Sequence, residues 1–215
     1  SSAASDVYKR QDMHMHGPEF PELVVELVNE GKLSEERVNY ACSKILEAKF
    51  KLGLFENRFV DEDDISEKIF NQYHKETALK LARQGIVLLK NNDVLPLRRP
   101  KNSKNRILVT GPNANNQSIL GDWHSAQPDE NVYTVFEGIK KIGTEMGYLV
   151  DYHDSNENIK RISEKDIDKT IEAAKEYDLV VLVIGDNSMR YKWNQKTAGE
   201  NTARAELDLA GKQLD

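Results

Sequence analysis

The sequence predicts an α/β fold built around a parallel β-sheet. Two short runs rich in β-branched residues have the composition of strands that are buried on both faces of such a sheet, residues 107–111 and 178–185. A third strand is expected at residues 148–152, and helical periodicity separates the strands at residues 135–146 and 164–176. Strands that alternate with helices of this length favour βαβ crossovers, in which neighbouring strands run parallel.

Two amphipathic helices are predicted near the start of the chain, at residues 19–29 and 35–52. Ser34 is the expected N-cap of the second helix, because two glutamates follow it and suit the positive end of a helix. Gly53 is expected to end that helix. Residues 1–11 show no pattern that connects them with these helices, and we interpret them as foreign to the fold.

Further elements are predicted between this helical pair and the sheet. The acidic run at residues 61–64 is typical of an exposed linker, and a helix is expected at about residues 66–84. The inward-facing side chains of that helix are predicted to include Ile69, Tyr73 and Leu81. Residues 86–90 have the composition of a strand, and a turn at residues 91–93 is expected to lead the chain back along residues 95–97.

The composition excludes several classes of function. The formal net charge of −6 arises from 30 Lys and Arg against 36 Asp and Glu mixed along the chain, which leaves no basic stripe for nucleic acid or an anionic membrane. No apolar run approaches the roughly 20 residues that span a bilayer. His14 and His16 have no third ligand at a suitable spacing. We therefore expect no nucleic-acid partner, no membrane partner and no metal.

The loop at residues 186–204 is the first place to expect chemistry, because ligands bind outside the carboxyl ends of strands in open α/β sheets. Glu200 is its candidate acid or base, and a solvated surface glutamate is the alternative interpretation. Asp122 and Trp123 form a second candidate, since an indole can stack on a sugar ring while a carboxylate binds hydroxyls. A tryptophan packed at the base of a loop is the alternative. The loop after residues 107–111 lacks the further glycines of a dinucleotide-binding loop.

Several stretches, in one consistent order, resemble glycoside hydrolase family 3. They are DMHM at 12–15, AKFKLGLF at 48–55, GIVLLKNNDVLPL at 85–97, ILVTGPNAN at 107–115, GDW at 121–123 and TVFEG at 134–138. The similarity extends from about residue 12 to the end of the chain. On this basis the chain is identified as a member of that family.

The resemblance implies a fold in two parts. Residues 12–60 are expected to be the C-terminal end of a (β/α)8 barrel, and residues 61–84 a linker and helix. Residues 85–215 are expected to be the N-terminal part of an α/β sandwich domain with a parallel sheet. Both parts are expected to be incomplete in this chain.

The resemblance also implies roles for individual residues. The family's acid/base glutamate commonly occurs as Gly-Glu with an Asp-Arg pair shortly after, and Glu200 and Arg204 match this pattern although an alanine replaces the usual aspartate. Glu200 is therefore the implied acid/base, and Trp123, Asp122 and Arg204 are the implied substrate-binding residues. The family's nucleophile lies in a Ser-Asp-Trp motif upstream of the part that this chain matches, so we expect it outside these 215 residues.

The implied reaction is retaining hydrolysis of terminal β-D-glucosyl residues, without a cofactor, on a β-linked oligosaccharide or other glycoside. β-Xylosides are the alternative substrate, and a noncatalytic α/β carbohydrate-binding or interaction module is the alternative function. Without the nucleophile, the chain alone is expected to be inactive. The sequence gives no indication of localisation or oligomeric state.

Overall fold

A computed structural model of the protein describes residues 11–15, 17–98 and 105–215, apart from the side chain of Ser66. The chain divides into two compact units, Ser1–Leu89 and Lys90–Asp215. The interpretation of residues 1–11 as foreign to the fold lies outside the described residues except at Gln11. None of the helices in these ranges is long and apolar enough to cross a membrane.

The predicted helical pair is confirmed in the first unit. Helix α1 spans Phe20–Asn29 and helix α2 spans Glu35–Lys51. Ser34 caps α2 as expected, because its side-chain oxygen accepts a hydrogen bond of 3.2 Å from the backbone N–H of Arg37. The pair thus follows the local capping signals of the sequence.

The single helix predicted at residues 66–84 is wrong, because the structure contains two. Helix α3 spans Ile65–Lys68, and helix α4 spans Gln72–Gly85. Phe70 adopts a positive φ of 54° between them, and the Asn71 side chain caps α4 by accepting from the N–H of His74 at 3.0 Å. The side chains predicted to face inward are more than half exposed, Ile69, Tyr73 and Leu81. The Asn71 side chain thus starts a new helix within a stretch whose apolar spacing indicated one continuous helix.

The strand predicted at residues 86–90 is also wrong, since no strand occurs between residues 86 and 98. The apolar side chains of this run are exposed, from Ile86 to Leu89. The turn that follows closes on itself, because Asn91 Oδ1 accepts from the N–H groups of Val94 and Leu95 at 3.1 and 3.0 Å. An apolar run without a neighbouring strand has no ladder to join, so composition alone does not produce a strand.

The predicted parallel sheet is confirmed in the second unit. Strands β1, β2 and β3 span Arg106–Thr110, Leu149–His153 and Leu179–Leu182, in the spatial order β2-β1-β3. Both pairings are parallel. Helix α5, Val135–Glu145, connects β1 to β2, and helix α6, Glu164–Ala174, connects β2 to β3. The chain therefore forms two successive βαβ crossovers.

The core of this unit lies between the central strand and α5. Its buried members are Ile107, Val109, Ala114, Tyr148 and Val150. Helix α5 packs on β2 and β1, and its first turn is fixed by a capping box between Thr134 and Glu137. A second capping box, between Ser163 and Asp166, begins α6.

The carboxyl edge of the sheet is where the two longest loops of this unit leave. Thr110 Oγ1, at the end of β1, donates to the carbonyl of His153 at 2.9 Å. Asn113, in the loop after β1, donates to the carbonyl of Gly185, after β3, at 3.0 Å. These bonds join the ends of all three strands, so the loops after β1 and β3 start from one rigid edge.

Candidate functional site

The loop after β3 is closed at its base. The N–H of Asn187 donates to Thr197 Oγ1 at 2.9 Å, and the N–H groups of Thr197 and Ala198 donate back to the carbonyl of Asn187 at 2.9 and 3.1 Å. Met189 is fully buried inside this loop. These hydrogen bonds join the two ends of the loop shortly before Glu200.

Asp122, in the loop after β1, makes a bridge to this second loop. Its Oδ2 accepts the backbone N–H of Glu200 at 2.7 Å, and its Oδ1 accepts from Lys196 Nζ at 3.0 Å. Only 17% of the Asp122 side chain is exposed. Both carboxylate oxygens are thus engaged by groups of the protein.

Lys196 completes this arrangement. Its side chain is 1% exposed, and Nζ also donates to the carbonyl of Glu200 at 3.0 Å. The same Nζ lies 4.4 Å from the ring centroid of Trp193, within the range of a cation–π interaction. The ammonium group is therefore surrounded by a carboxylate, a carbonyl and an aromatic face.

The carboxyl group of Glu200 points to a different partner, Arg190. Arg190 Nη1 lies 2.5 Å from Glu200 Oε2, and the Arg190 guanidinium lies 3.9 Å from the ring centroid of Trp123. The Glu200 side chain is 40% exposed and Trp123 is 76% exposed. An exposed carboxyl group and an exposed indole thus meet at one guanidinium.

An open cleft lies beside Arg190 and Trp123. It is lined by Trp123, His124, Ser125, Ala126, Arg190 and Tyr191. The His124 and Tyr191 rings meet edge to face at 5.6 Å between centroids, which supports one wall. Open concave surfaces with an exposed aromatic ring suit a ring-shaped ligand.

The electrostatics of Asp122 follow from its contacts. The hydrogen bond from the N–H of Glu200 lowers the pKa of Asp122, and the Lys196 ammonium and the Arg190 charge act in the same direction. Partial burial opposes this effect. The carboxylate of Asp122 is thus held in its charged form.

A glycine is required at position 199, where the loop backbone passes close to Asp122 and Ser188. Its φ is +92°, and a Cβ atom there would lie 2.4 Å from Asp122 Oδ2 and 2.9 Å from Ser188 Cβ. The backbone of Glu200 can approach the Asp122 carboxylate because the preceding residue has no side chain.

Of the four site residues predicted from the sequence, the structure brings three together, Glu200, Asp122 and Trp123. Arg204 has other partners. Its Nη1 donates to Asp186 at 2.6 Å, and its Nη2 donates to the carbonyl of Asp208. In this structure Arg204 ties the end of the loop to its beginning.

Two residues of the cluster were not assigned a role from the sequence, Lys196 and Arg190. Both are cations in the predicted loop, which is the only signal that the sequence offers. Within the described residues, no group of three or more His, Cys, Asp or Glu side chains could hold a metal ion.

Comparison with known proteins decides the family. Residues 86–215 match the profile described as the Glycosyl hydrolase family 3 C-terminal domain. The chain belongs to glycoside hydrolase family 3. The resemblance found in the sequence motifs, and the α/β fold with a parallel sheet that it implied, are confirmed.

The relatives that match this chain include proteins named as β-xylosidases and proteins named as β-glucosidases. The chain is 35% identical over 187 residues to a β-xylosidase from Formosa agariphila, and 26% identical over 229 residues to a periplasmic β-glucosidase from Salmonella typhimurium. These matches cover 83% and 95% of this chain, but 24% and 28% of the relatives. The chain therefore spans about a quarter of the length of these family 3 enzymes.

Solved structures of β-glucosidases resemble this chain. A β-glucosidase involved in saponin metabolism from intestinal bacteria superposes with a TM-score of 0.77 at 30% identity, over 99% of this chain and 31% of that one. The β-glucosidase of Listeria innocua, in complex with glucose, superposes with a TM-score of 0.71 at 26% identity, over 94% of this chain and 26% of that one.

Proposed function

We propose that this family 3 chain is part of a retaining β-glycosidase, in which Glu200 is the acid/base and the nucleophile comes from outside these 215 residues. The observation that carries the proposal is the exposed Glu200 carboxyl group, which contacts Arg190, while Arg190 and the exposed Trp123 ring line an open cleft. A carboxyl group that donates a proton to a glycosidic oxygen must be reachable from the sugar-binding surface.

The second carboxylate of the reaction has no candidate in this cluster. Retaining enzymes place two carboxyl groups about 5–5.5 Å apart, one attacking the anomeric carbon and one protonating the leaving oxygen. Asp122 is unsuited to attack, because its two oxygens accept from Glu200 and Lys196. The proposal therefore needs the upstream nucleophile that the family resemblance implied.

Glu200 would first donate a proton to the leaving oxygen, and would then remove a proton from the water that releases the sugar. Arg190 engages one oxygen of this carboxyl group, Oε2, in the present structure, so either the pair separates or the proton is carried on Oε1. A general acid of this kind contributes roughly 10²- to 10⁴-fold to the rate.

Trp123 is proposed to stack on the apolar face of a sugar ring in the cleft. Arg204 stays a predicted substrate-binding residue, although its guanidinium is turned to Asp186 and to the carbonyl of Asp208. The proposed substrate is a terminal β-D-glucoside. A β-xyloside is the second candidate, because a relative named as a β-xylosidase is 35% identical to this chain.

The test uses the longer protein in which this chain is joined to the proposed upstream barrel, whose presence the reading frame of the source gene would reveal. In that enzyme Glu200→Gln should lower kcat/KM for glycosides with poor alcohol leaving groups by roughly 10²- to 10⁴-fold. The loss should be far smaller for a dinitrophenyl glycoside, whose leaving group needs no proton. For that substrate kcat should still fall, because release of the sugar by water needs the general base, and azide, which attacks the glycosyl intermediate without one, should restore kcat.

Glu206→Gln provides the matched control, because Glu206 is an exposed carboxyl group in the same part of the chain. It should leave both substrate classes unchanged. The isolated 215-residue chain is expected to give no turnover. An equal loss for good and poor leaving groups in Glu200→Gln, or turnover by the isolated chain, would contradict the proposal. Parallel assays on aryl β-glucosides and aryl β-xylosides decide between the two substrates.

A further inference from the structure

The backbone of Glu200 is held on both sides by one buried ion pair. Asp122 Oδ2 accepts its N–H at 2.7 Å, and Lys196 Nζ donates to its carbonyl at 3.0 Å. The two side chains are themselves joined at 3.0 Å between Lys196 Nζ and Asp122 Oδ1. Together these three contacts form a closed ring around the peptide groups of one residue.

Burying a lysine ammonium is costly unless the charge is paired and its hydrogen bonds are made. Lys196 is 1% exposed, and its partners are the Asp122 carboxylate, the Glu200 carbonyl and the Trp193 ring. The other lysine ion pairs among the described residues lie at more exposed positions, such as Lys175 with Glu172. The one of these pairs whose ammonium group is buried thus contacts the backbone of Glu200.

The ring also joins two loops that are distant in sequence. Asp122 lies in the loop after β1 and Glu200 in the loop after β3, 78 residues further along the chain. Because both loops start from the carboxyl edge of one sheet, the ring fixes the position of Glu200 relative to that edge. A rigid scaffold and a supporting shell of this kind set the precision of a catalytic group.

We infer that Asp122 and Lys196 are positioning residues, which fix the backbone of Glu200 so that its carboxyl group is held beside Arg190, a residue that lines the cleft. This inference rests on the proposed acid/base role of Glu200. It assigns Asp122 an internal role in place of a contact with sugar hydroxyls, because its carboxylate oxygens are already engaged.

The inference is tested first on the 215-residue chain, by measuring exchange of the Glu200 backbone amide with solvent deuterium. Asp122→Asn keeps the shape of the side chain, but its amide cannot offer an acceptor oxygen to both donors. Exchange at Glu200 should become roughly tenfold faster than in the parent chain. Lys175→Met is the control, since it removes an exposed lysine outside the cluster, and it should leave that exchange rate unchanged.

The second test is kinetic, in the longer enzyme. Asp122→Asn and Lys196→Met should each lower kcat for glycosides with poor leaving groups by roughly 10- to 100-fold, because displacement of a catalytic group by about 1 Å can cost 10²-fold. KM should stay within about twofold, since neither side chain touches the sugar in this arrangement. Asp122→Asn is the milder change, and it keeps the test valid if Lys196→Met does not fold.

Two results would overturn the inference. A raised KM with unchanged kcat in Asp122→Asn would assign Asp122 to sugar binding, and unchanged exchange of the Glu200 amide would show that the ring does not hold the backbone. Failure of the proposed function is distinguishable, because it appears in the leaving-group dependence of Glu200→Gln while the exchange result stands by itself.

Discussion

Gly199 shows how closely the backbone of this loop approaches its neighbours. A Cβ atom at that position would lie 2.4 Å from Asp122 Oδ2, and φ is +92°. Alanine would therefore meet both a steric conflict and a backbone conformation that L residues rarely adopt. The conflict falls on the oxygen that accepts the N–H of Glu200.

Gly199→Ala should move the Glu200 loop away from Asp122 and change the environment of Trp193, whose ring lies against Lys196. Tryptophan fluorescence of the 215-residue chain measures this change. Gly147→Ala is the matched control, because Gly147 has a similar φ of +90°, but a Cβ atom there would have no neighbouring atom within 4 Å. Equal fluorescence changes in the two variants would show that backbone strain, and not the contact with Asp122, determines the effect.

The packing of α5 on the sheet depends on one small residue. A Cβ atom at Gly143 would lie 2.7 Å from Cγ2 of Val150, a buried and conformationally stiff side chain of β2. Gly138, in the same helix, has no atom within 4 Å of the corresponding position. The helix therefore contains one glycine that packing requires and one that it does not.

Gly143→Ala should lower the free energy of unfolding by about 1–2 kcal/mol, because overpacking of roughly 1–3 kcal/mol exceeds the gain in helix propensity. Gly138→Ala should raise it by about 0.5–1 kcal/mol. Urea unfolding followed by tryptophan fluorescence reports on the α/β unit alone, since both tryptophans lie within it. A stabilised Gly143→Ala variant would mean that α5 can shift on the sheet without cost.

The elements that the sequence predicted correctly are those whose signals are local or repeated. The Ser34 cap, the crossover helices and the three strands are examples, because capping residues and apolar runs next to helical periods act through nearby neighbours. The strand predicted at residues 86–90 was wrong because a strand needs a partner, and composition does not provide one. The single helix predicted at residues 66–84 was wrong because the positive φ of Phe70 interrupts the helix, although the apolar spacing of the sequence continues through it.

The candidate site depends on contacts between loops that lie far apart in the sequence. Glu200 and Trp123 could be proposed from the sequence because they belong to recognisable motifs. The role of Lys196 depends on Asp122, 74 residues away, and on burial that only the folded loops produce. Arg190 likewise acquires its role from the position of Trp123. Long-range electrostatic partners are set by topology, which single-sequence patterns do not contain.

Three aspartates of the α/β unit have lowered pKa values, so the stability of this unit should depend on pH. The pKa of Asp122 is lowered chiefly by the N–H of Glu200, and that of Asp151 chiefly by a hydrogen bond from Arg106. The pKa of Asp166 is lowered by the Ser163 backbone N–H, in the capping box of α6. These carboxylates lie in a loop, on a strand and at a helix start, and the pKa of each is lowered by its own local partners.

We expect the melting temperature of the α/β unit to stay level above about pH 5 and to fall as the pH drops below about 4, near the pKa of an unfolded aspartate. A group whose pKa is lower in the folded state stabilises the fold above its unfolded pKa, and this contribution is lost as the pH falls through the folded value. Asp151→Asn should therefore melt at a lower temperature than the parent chain at pH 7, and the difference should shrink towards pH 3. Thermal unfolding followed by tryptophan fluorescence across this range measures it. A difference that stays constant with pH would show that the Asp151 side chain acts through its shape and neutral hydrogen bonds, and not through the charge that Arg106 stabilises.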